Sequence, residues 1–200
     1  MPEQPVSHGP WTILRSREVY RDPWIALRRD EVMRPDGEPG SHCVLHLKPG
    51  VSVLALDEDG TVYLTDEFHY AIGRNSLEAV SGGIEAGEEP QQAARRELEE
   101  EIGLVAAEWL ELGTVDPFTS IVVSPTRLFL ARQLQPGTRA PEGTEQIRTV
   151  QVSLDEARRM VEAGQITHLP TCLLILRTWM MQQEAGRTGL GTKTGHCDPA

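Results

Sequence analysis

The sequence has few cysteines, and they are not arranged for a disulfide framework or a structural metal site. Cys43, Cys172 and Cys197 are far apart and odd in number, and no two of them stand at the spacing of metal ligands. A disulfide scaffold needs paired cysteines, and a structural zinc site needs closely spaced ones. We therefore expect reduced thiols and a fold that depends on its hydrophobic core.

Long hydrophobic runs and an excess of positive charge are also missing. No stretch approaches the roughly eighteen apolar residues of a membrane-spanning helix, and MPEQPVSHGP lacks the basic region and apolar run of a signal peptide. The formal net charge of -11 disfavours nucleic acids and anionic membranes as partners, because both bind basic surfaces. We expect a cytoplasmic protein that binds neither.

The chain is long enough for one main domain and a small accessory unit. Between residues 11 and 47, short runs alternate apolar and polar residues around the turn PDGEPGS, which predicts three antiparallel strands. Further strand-like runs and two or three helices follow, so we predict an α/β fold with a mixed sandwich. The expected boundaries are an N-terminal β subdomain over 1–48, a main domain over 49–184 and a disordered, Gly/Thr-rich tail over 185–200.

Seven glutamates crowd into residues 82–104, GGIEAGEEPQQAARRELEEEIGL. Pro90 suits the first turn of a helix, and Gly103 suits a left-handed residue at its end, so a Gly-rich loop is predicted to enter a helix. At about 100° per residue, Glu99 points away from a face shared by three other carboxylates. Those three are Glu97, Glu100 and Glu101. Like charges at this spacing repel, and a hard divalent cation such as Mg²⁺ or Mn²⁺ would neutralise them.

This segment fits the pattern Gly-x5-Glu-x7-Arg-Glu-(apolar)-x-Glu-Glu-x-Gly-(apolar) in full. The matching residues are Gly82, Glu88, Arg96, Glu97, Leu98, Glu100, Glu101, Gly103 and Leu104. From average residue usage, a chance match in such a chain is on the order of one in a million. The segment resembles the Nudix box, the signature of a family that consists largely of metal-dependent hydrolases of nucleoside diphosphates linked to another group.

The resemblance implies an α/β/α sandwich with a mixed sheet, and it implies a role for each residue of the box. Glu97 and Glu101 would be the main metal ligands, Glu100 a further or shared ligand with a catalytic part, and the Ser81 carbonyl would complete the site. Arg96 would hold the loop and the glutamates in place by charge-assisted hydrogen bonds. The residues with a structural role would be Gly82, Glu88 and Gly103.

From about Tyr20 to Trp179, the chain is similar to the ADP-ribose pyrophosphatase branch of that family. EFHYAIGRNSLEAVSGGIEAGE follows the branch pattern of an aromatic-basic strand, a Gly-Arg turn and a Leu-Glu strand before the box. By this similarity Arg74 and Glu78 would contact the substrate, with a surface ion pair as the alternative, and His69 could touch a substrate phosphate. The N-terminal strands would exchange across a homodimer and help to hold the nucleotide.

In the same branch, a glutamate in a mobile loop before the penultimate strand orients or deprotonates the attacking water. The matching stretch is PEGTEQIRTVQV, which makes Glu145 the first candidate and Glu142 the second; for each, a surface glutamate is the alternative. A loop base would come within reach only when substrate is bound. The chain departs from the branch at Val80 and Ser81, where Pro-Ala is usual, and at His69, where arginine is frequent.

These features favour Mg²⁺- or Mn²⁺-dependent hydrolysis of a nucleoside diphosphate sugar, ADP-ribose or a relative, to a nucleoside monophosphate and a sugar phosphate. Two alternatives stay open. One keeps the metal site but changes the substrate to GDP-mannose, a dinucleotide or a nucleoside triphosphate. The other is a nucleotide-sugar sensor that has lost turnover, against which the intact box argues. The expected partners are a small-molecule nucleotide and a second copy of the chain.

Overall fold

A computed structural model describes residues 4–140 and 146–189, which form twelve strands and three helices. The strands are β1 Val6–His8, β2 Trp11–Arg21, β3 Ile25–Met33, β4 Pro39–Leu47, β5 Gly50–Leu56, β6 Thr61–His69, β7 Arg74–Glu78, β8 Val80–Gly83, β9 Leu104–Val115, β10 Val122–Val123, β11 Thr126–Pro136 and β12 Arg148–Ser153. The helices are α1 Pro90–Ile102, α2 Leu154–Glu162 and α3 Leu169–Gly189.

The N-terminal sheet has the strand order β1-β2-β3-β4-β10. Strands β2, β3 and β4 are the three antiparallel strands that the alternating pattern predicts, and β1 adds a short edge strand. The other edge, β10, comes from much later in the chain and pairs in parallel with β4, with Val122 opposite Leu45. The predicted boundary at residue 48 falls between β4 and β5, yet the main domain completes the N-terminal sheet.

The main sheet is mixed, as predicted, and has the order β12-β6-β5-β11-β9. Strand β5 pairs in parallel with β11 and antiparallel with β6 at its far end and β8 at its near end. Strand β7 pairs with β6. Because β8 leads directly into the loop before α1, its pairing with β5 fixes the start of the glutamate-rich segment against the centre of the sheet.

Two hydrophobic cores cover the two faces of the main sheet, which confirms the α/β/α sandwich. Alternate residues of β5 and β11 point to opposite faces, so each strand contributes to both cores. One core packs α1 on the sheet through Val51, Val53, Ala55, Val80, Ala93, Ala94, Leu98, Ala106, Phe129 and Ala131. The other packs α2 and α3 through Leu54, Leu56, Leu128, Leu130, Leu154, Ala157, Leu174 and Ile175, among others.

Helix α1 begins and ends where the sequence predicts. Pro90 occupies its first turn, and the Glu89 N–H donates to the Gln92 side chain at 3.3 Å. Gly103 ends the helix with φ of 68°, and its N–H donates to the Glu99 carbonyl at 2.9 Å. A residue with a Cβ would be strained in this left-handed conformation.

The end of the chain differs from the prediction, because α3 continues to Gly189, past the expected start of a disordered tail at residue 185. Gln182, Gln183, Glu184 and Ala185 are good helix formers and extend a helix whose first half is already packed on the sheet. The rest of the predicted tail lies outside the described residues. No helix in the described ranges is long and apolar enough to cross a membrane.

Thr171 fastens the first turn of α3 to the main sheet. Its side chain is fully buried, and its Oγ1 accepts the N–H of Ala79, the residue between β7 and β8, at 2.8 Å. A buried backbone N–H needs a partner, so this hydroxyl satisfies a requirement of the sheet. Thr178, on the same helix, is equally buried, but its hydroxyl has no hydrogen-bond partner among the residues that the structure describes.

We predict that Thr171→Val lowers the free energy of unfolding by about 1–3 kcal/mol, because the Ala79 N–H loses its acceptor in a buried position. Thr178→Val is the matched control: it makes the same exchange on the same helix without removing a hydrogen bond, and should be neutral or slightly stabilising. Urea unfolding of the two variants measures the difference. Equal losses would show that the Thr171 hydroxyl contributes no specific stabilisation.

Candidate active site

Arg96 connects the loop before α1 to the acidic face of that helix. Its Nε donates to Glu88 Oε1 at 3.0 Å, and its Nη2 donates to the Gly83 carbonyl at 3.0 Å, so the guanidinium braces the loop. Its Nη1 donates to Glu97 Oε1 at 2.8 Å and to Glu100 Oε2 at 3.1 Å. One planar group therefore fixes loop and helix together, which a lysine ammonium would not do with the same geometry.

The same contacts keep the bracing pair ionised. The hydrogen bond from Arg96 lowers the pKa of the Glu88 carboxyl, and the hydrogen bond to Glu88 raises the pKa of the Arg96 guanidinium. Glu88 also accepts the Glu85 N–H at 2.9 Å, which closes the loop on itself. The sequence resemblance assigns Glu88 to loop support, and in the structure its carboxylate contacts Arg96 and the Glu85 N–H.

Glu97 lies directly over the backbone of Gly82. A Cβ built at residue 82 would stand 1.9 Å from Glu97 Oε1 and 2.0 Å from Glu97 Cδ, so no side chain fits there without displacing this carboxylate. The φ angle of Gly82 is not positive, so close approach and not conformation requires the glycine. Gly82 thus lets the helix carboxylate reach the loop at the end of β8.

The acidic face of α1 presents three carboxylates, and Arg96 contacts two of them, Glu97 and Glu100. Glu101 is only 7% exposed, and the side chain of Glu97 is 13% exposed, whereas Glu100 is more open. Taking carboxylates out of water is costly unless cations or hydrogen bonds compensate. Their hard oxygen donors fit Mg²⁺ or Mn²⁺.

In this structure, however, Arg96 forms ion pairs with two carboxylates of the acidic face, Glu97 and Glu100. Among residues 4–140 and 146–189, no three His, Cys, Asp or Glu side chains are grouped so that they could hold a metal ion. Arg96 Nη1 contacts both Glu97 and Glu100, which accounts for part of this arrangement. The carboxylate oxygens of this face are therefore of the kind that bind a divalent cation. In this structure two of the carboxylates are paired with Arg96.

A cleft of about 750 Å³ adjoins the loop. Ser81 and Gly82 line it from β8, Arg74 and Glu78 from β7, and His168 from the segment before α3. The N-terminal sheet and the β9–β10 connection contribute an apolar rim, which includes Trp24, Leu47 and Phe118. The fold thus brings four of the residues assigned from sequence, Ser81, Gly82, Arg74 and Glu78, to one space.

Arg74 and Glu78 do not pair with each other in the described structure, so the surface ion pair considered from sequence is not formed. Arg74 Nη2 donates to Thr167 Oγ1 at 3.0 Å. Glu78 Oε1 lies 3.2 Å from His69 Nε2, and Glu78 Oε2 lies 3.0 Å from His168 Nδ1. His69 therefore contacts Glu78, where the resemblance had suggested a substrate phosphate.

His168 is the site residue that the sequence did not indicate. In the sequence ITHLPT it looks like any polar residue near the start of a helix, and 90 residues separate it from Glu78. Only the packing of α3 on the sheet brings the two together. Burial lowers the pKa of His168, partly opposed by the charge of Glu78.

The two candidate bases, Glu142 and Glu145, lie outside the described residues. The segment that precedes them is fastened to the C-terminal end of α1: the Ala140 N–H donates to the Glu100 carbonyl at 3.0 Å, and Arg139 Nε donates to the Glu101 carbonyl at 2.7 Å. Glu99 takes no part in the Arg96 contacts with loop and helix, and its Oε1 accepts the Thr138 N–H at 3.1 Å.

Two family models match the chain and together cover most of it. The model described as the NUDIX domain matches residues 46–172, which is more than half of the chain. The model described as the nucleoside diphosphate sugar hydrolase N-terminal domain matches residues 11–45. The two ranges meet within β4.

Three curated proteins are similar to this chain in sequence. The chain is 26% identical over 148 residues to the ADP-ribose pyrophosphatase of Bacillus subtilis, covering 73% of this chain and 80% of that protein. It is 30% identical over 145 residues to the ADP-ribose pyrophosphatase of Mycobacterium tuberculosis, covering 70% of each. It is 23% identical over 177 residues to the methanol dehydrogenase activator of Bacillus methanolicus, covering 86% and 93%.

A solved structure supports the same fold. The crystal structure of an ADP compounds hydrolase superposes with a TM-score of 0.73 over 92% of this chain and 97% of that chain, at 21% identity. An identity this low shows the fold alone. The match of the NUDIX domain to residues 46–172 shows that the chain belongs to the Nudix family, as its box of loop, arginine and glutamates predicts.

Proposed function

We propose that the protein hydrolyses the diphosphate of a nucleoside diphosphate sugar, with ADP-ribose as the first candidate, to a nucleoside monophosphate and a sugar phosphate. One observation carries this proposal: the cleft is lined both by the end of β8, where Glu97 lies over Gly82, and by Arg74 and Glu78. A diphosphate at the loop would therefore place its attached sugar or nucleoside beside polar side chains. The N-terminal domain match and the two ADP-ribose pyrophosphatases among the relatives support the same substrate class.

Nudix hydrolases generally need divalent cations, and we propose Mg²⁺ or Mn²⁺ for this one. Glu97 and Glu101 would hold the ion, with Glu100 and the Ser81 carbonyl as further ligands. When bound, such an ion neutralises charge on the diphosphate and makes water a better nucleophile. Arg96 would keep Glu97 and Glu100 aligned with the loop.

Glu145 is the proposed general base, and Glu142 is the second choice. The contacts of Arg139 and Ala140 with the last turn of α1 support this assignment, because they tie the chain just before the candidate bases to the helix that carries the metal ligands. Arg139 also donates to the carbonyl of Ile147, on the other side of the candidate bases. Both ends of the segment are thus held near the acidic face.

We propose a cytoplasmic homodimer. The N-terminal sheet and the cleft rim expose several large apolar side chains, and contiguous exposed apolar surface commonly marks an interaction site. The exposed apolar side chains are those of Val6, Leu14, Val19, Tyr20, Trp24, Ile121 and Val123. Light scattering should give about twice the mass of one chain, and a monomer at working concentration would contradict the proposal.

The proposal is tested by a substrate panel of ADP-ribose, GDP-mannose, a dinucleotide and a nucleoside triphosphate, with Mg²⁺ or Mn²⁺ and with the metal removed by a chelator. ADP-ribose should yield AMP and ribose 5-phosphate only when metal is present. Glu97→Gln and Glu101→Gln should lower turnover by ~100-fold or more, since the ion supplies several kcal/mol of charge stabilisation. Glu99→Gln, which lies off that face, should stay close to the parent.

Two outcomes of the panel would favour the alternatives. Activity confined to triphosphates would move the substrate away from nucleoside diphosphate sugars. Nucleotide binding by the parent without metal-dependent turnover would favour a sensor. The Arg96 network disfavours the sensor, because a protein that only binds has no need to fix Glu97 and Glu100 so closely.

We predict that Gly82→Ala folds but loses about 100-fold in turnover, because its Cβ would displace the Glu97 carboxylate by an ångström or more. The blocking atoms belong to the end of a flexible side chain, so the backbone can stay in place. Gly83→Ala is the matched control, since its Cβ would meet only the Lys48 side chain, with Cδ at 3.5 Å and Cβ at 4.0 Å. Steady-state kinetics and thermal melts of both variants test this, and equal activity would refute the steric requirement.

We predict that Glu145→Gln lowers kcat by roughly 10²–10⁴-fold with little change in KM, as expected for loss of a general base. Glu142→Gln should resemble the parent. The measurement is kcat against pH, where the acidic limb of the profile should be lost only in Glu145→Gln. The opposite ranking would move the role to Glu142, and two unaffected variants would exclude a base from this segment.

A further inference from the structure

The cleft wall at β7 is held against the start of α3 by side chains that contact both. His168 Nδ1 lies 3.0 Å from Glu78 Oε2 and 2.9 Å from Thr171 Oγ1, and the same Oγ1 accepts the Ala79 N–H at 2.8 Å. The histidine thus stands between a carboxylate that lines the cleft and a hydroxyl fixed in the core. Its ring cannot rotate without losing one of these contacts.

His168 Nδ1 is hydrogen-bonded to Thr171 Oγ1 and also lies 3.0 Å from Glu78 Oε2. A carboxylate oxygen only accepts, so a proton on Nδ1 is the arrangement that stabilises the contact with Glu78. Burial lowers the pKa of His168, which favours the neutral ring at neutral pH. A neutral imidazole with its proton on Nδ1 would stabilise the Glu78 carboxylate without cancelling its charge.

The other oxygen of Glu78 faces a second imidazole. His69 Nε2 lies 3.2 Å from Glu78 Oε1, so each carboxylate oxygen has one histidine beside it. An ionised carboxylate has about four acceptor positions in all, so each oxygen keeps one after these contacts. The side chain of Glu78 is 12% exposed and borders the cleft, which leaves these positions for a ligand.

The chemistry of that ligand follows from the acceptors. A phosphate is repelled by a carboxylate, and a purely apolar group would leave its charge without partners. A pair of neighbouring sugar hydroxyls supplies two donors side by side, which matches two oxygens held in a fixed plane. The ribose of a nucleotide carries such a pair.

We propose that His168 is a positioning residue that holds the Glu78 carboxylate to accept hydrogen bonds from the vicinal hydroxyls of a substrate ribose. The inference rests on the proposed function, since it takes a ribose-containing diphosphate as the occupant of the cleft. It adds a residue 90 positions away from Glu78 to the determinants of sugar specificity. The competing role is structural, in which His168 only joins α3 to the sheet.

The test measures affinity for ADP-ribose and for two analogues, each lacking the 2-hydroxyl of one of its two riboses, by calorimetry with a chelator present to prevent hydrolysis. His168→Asn keeps an amide N–H near the position of Nδ1, whereas His168→Phe keeps a ring without a donor. The parent and His168→Asn should bind at least one analogue ~10- to 100-fold more weakly than ADP-ribose, as expected for hydrogen bonds to a charged group. The affinities of His168→Phe for ADP-ribose and for both analogues should lie within about threefold of each other.

Three results would overturn the inference: a parent that does not discriminate, a His168→Phe variant that discriminates as the parent does, or an Asn variant no better than Phe. A structural role would lower stability without changing this selectivity. If His168→Phe does not fold, the affinities of Glu78→Gln for ADP-ribose and the two analogues are compared in its place. In that variant an amide nitrogen replaces one of the two carboxylate oxygens, so one of the two acceptors is lost. Addition of Mg²⁺ or Mn²⁺ to the parent tests the hydrolase separately, since selectivity without turnover would refute only the proposed function.

Discussion

The candidate site depends on one guanidinium. Arg96 binds Glu88 and the Gly83 carbonyl on the loop side and Glu97 and Glu100 on the helix side, so it sets the distance between them. Without it, a face of like charges three and four residues apart would repel itself and the loop would lose its brace. An arginine suits this position because its five donors lie in one plane and stay charged.

The position of that guanidinium in turn depends on the central strand of the main sheet. Strand β5 pairs with β8 at its beginning, which fixes the loop, and its alternate side chains pack against α1, which fixes the helix. Loop and helix therefore share one support. Gly82 lets the two come close together, because without a Cβ it leaves room for the Glu97 carboxylate against the backbone at the end of β8.

The parts of the site that could be predicted from the sequence are those encoded by short-range spacing. The acidic face of α1 and its Gly103 terminus lie within 23 residues, where helical periodicity and turn chemistry decide the geometry, whereas the role of Arg96 is what the resemblance to the Nudix box implies. The strands β2, β3 and β4 are predicted for the same reason, because their residues alternate between apolar and polar along each run. The pairing of β10 with β4 and the contact of His168 with Glu78 join distant segments, and no local pattern marks them. Residues 185–189 are helical although their composition predicts disorder, because they extend a helix that is already packed on the sheet.

The acidic face of α1 and the cleft wall at β7 differ in the charge that each needs as a partner. A chain with a net charge of -11 repels a diphosphate, and the acidic face of α1 adds to that repulsion, so attraction there has to come from a cation that both carboxylates and phosphates can share. At β7 there is one carboxylate, Glu78, with an imidazole beside each of its oxygens. Burial lowers the pKa of His168, and a neutral imidazole contacts Glu78 without cancelling its charge, as the close pairing of a guanidinium would do. In the proposed function, Glu78 accepts hydrogen bonds from hydroxyl groups and disfavours a phosphate, so a diphosphate sugar would have one preferred direction in the cleft.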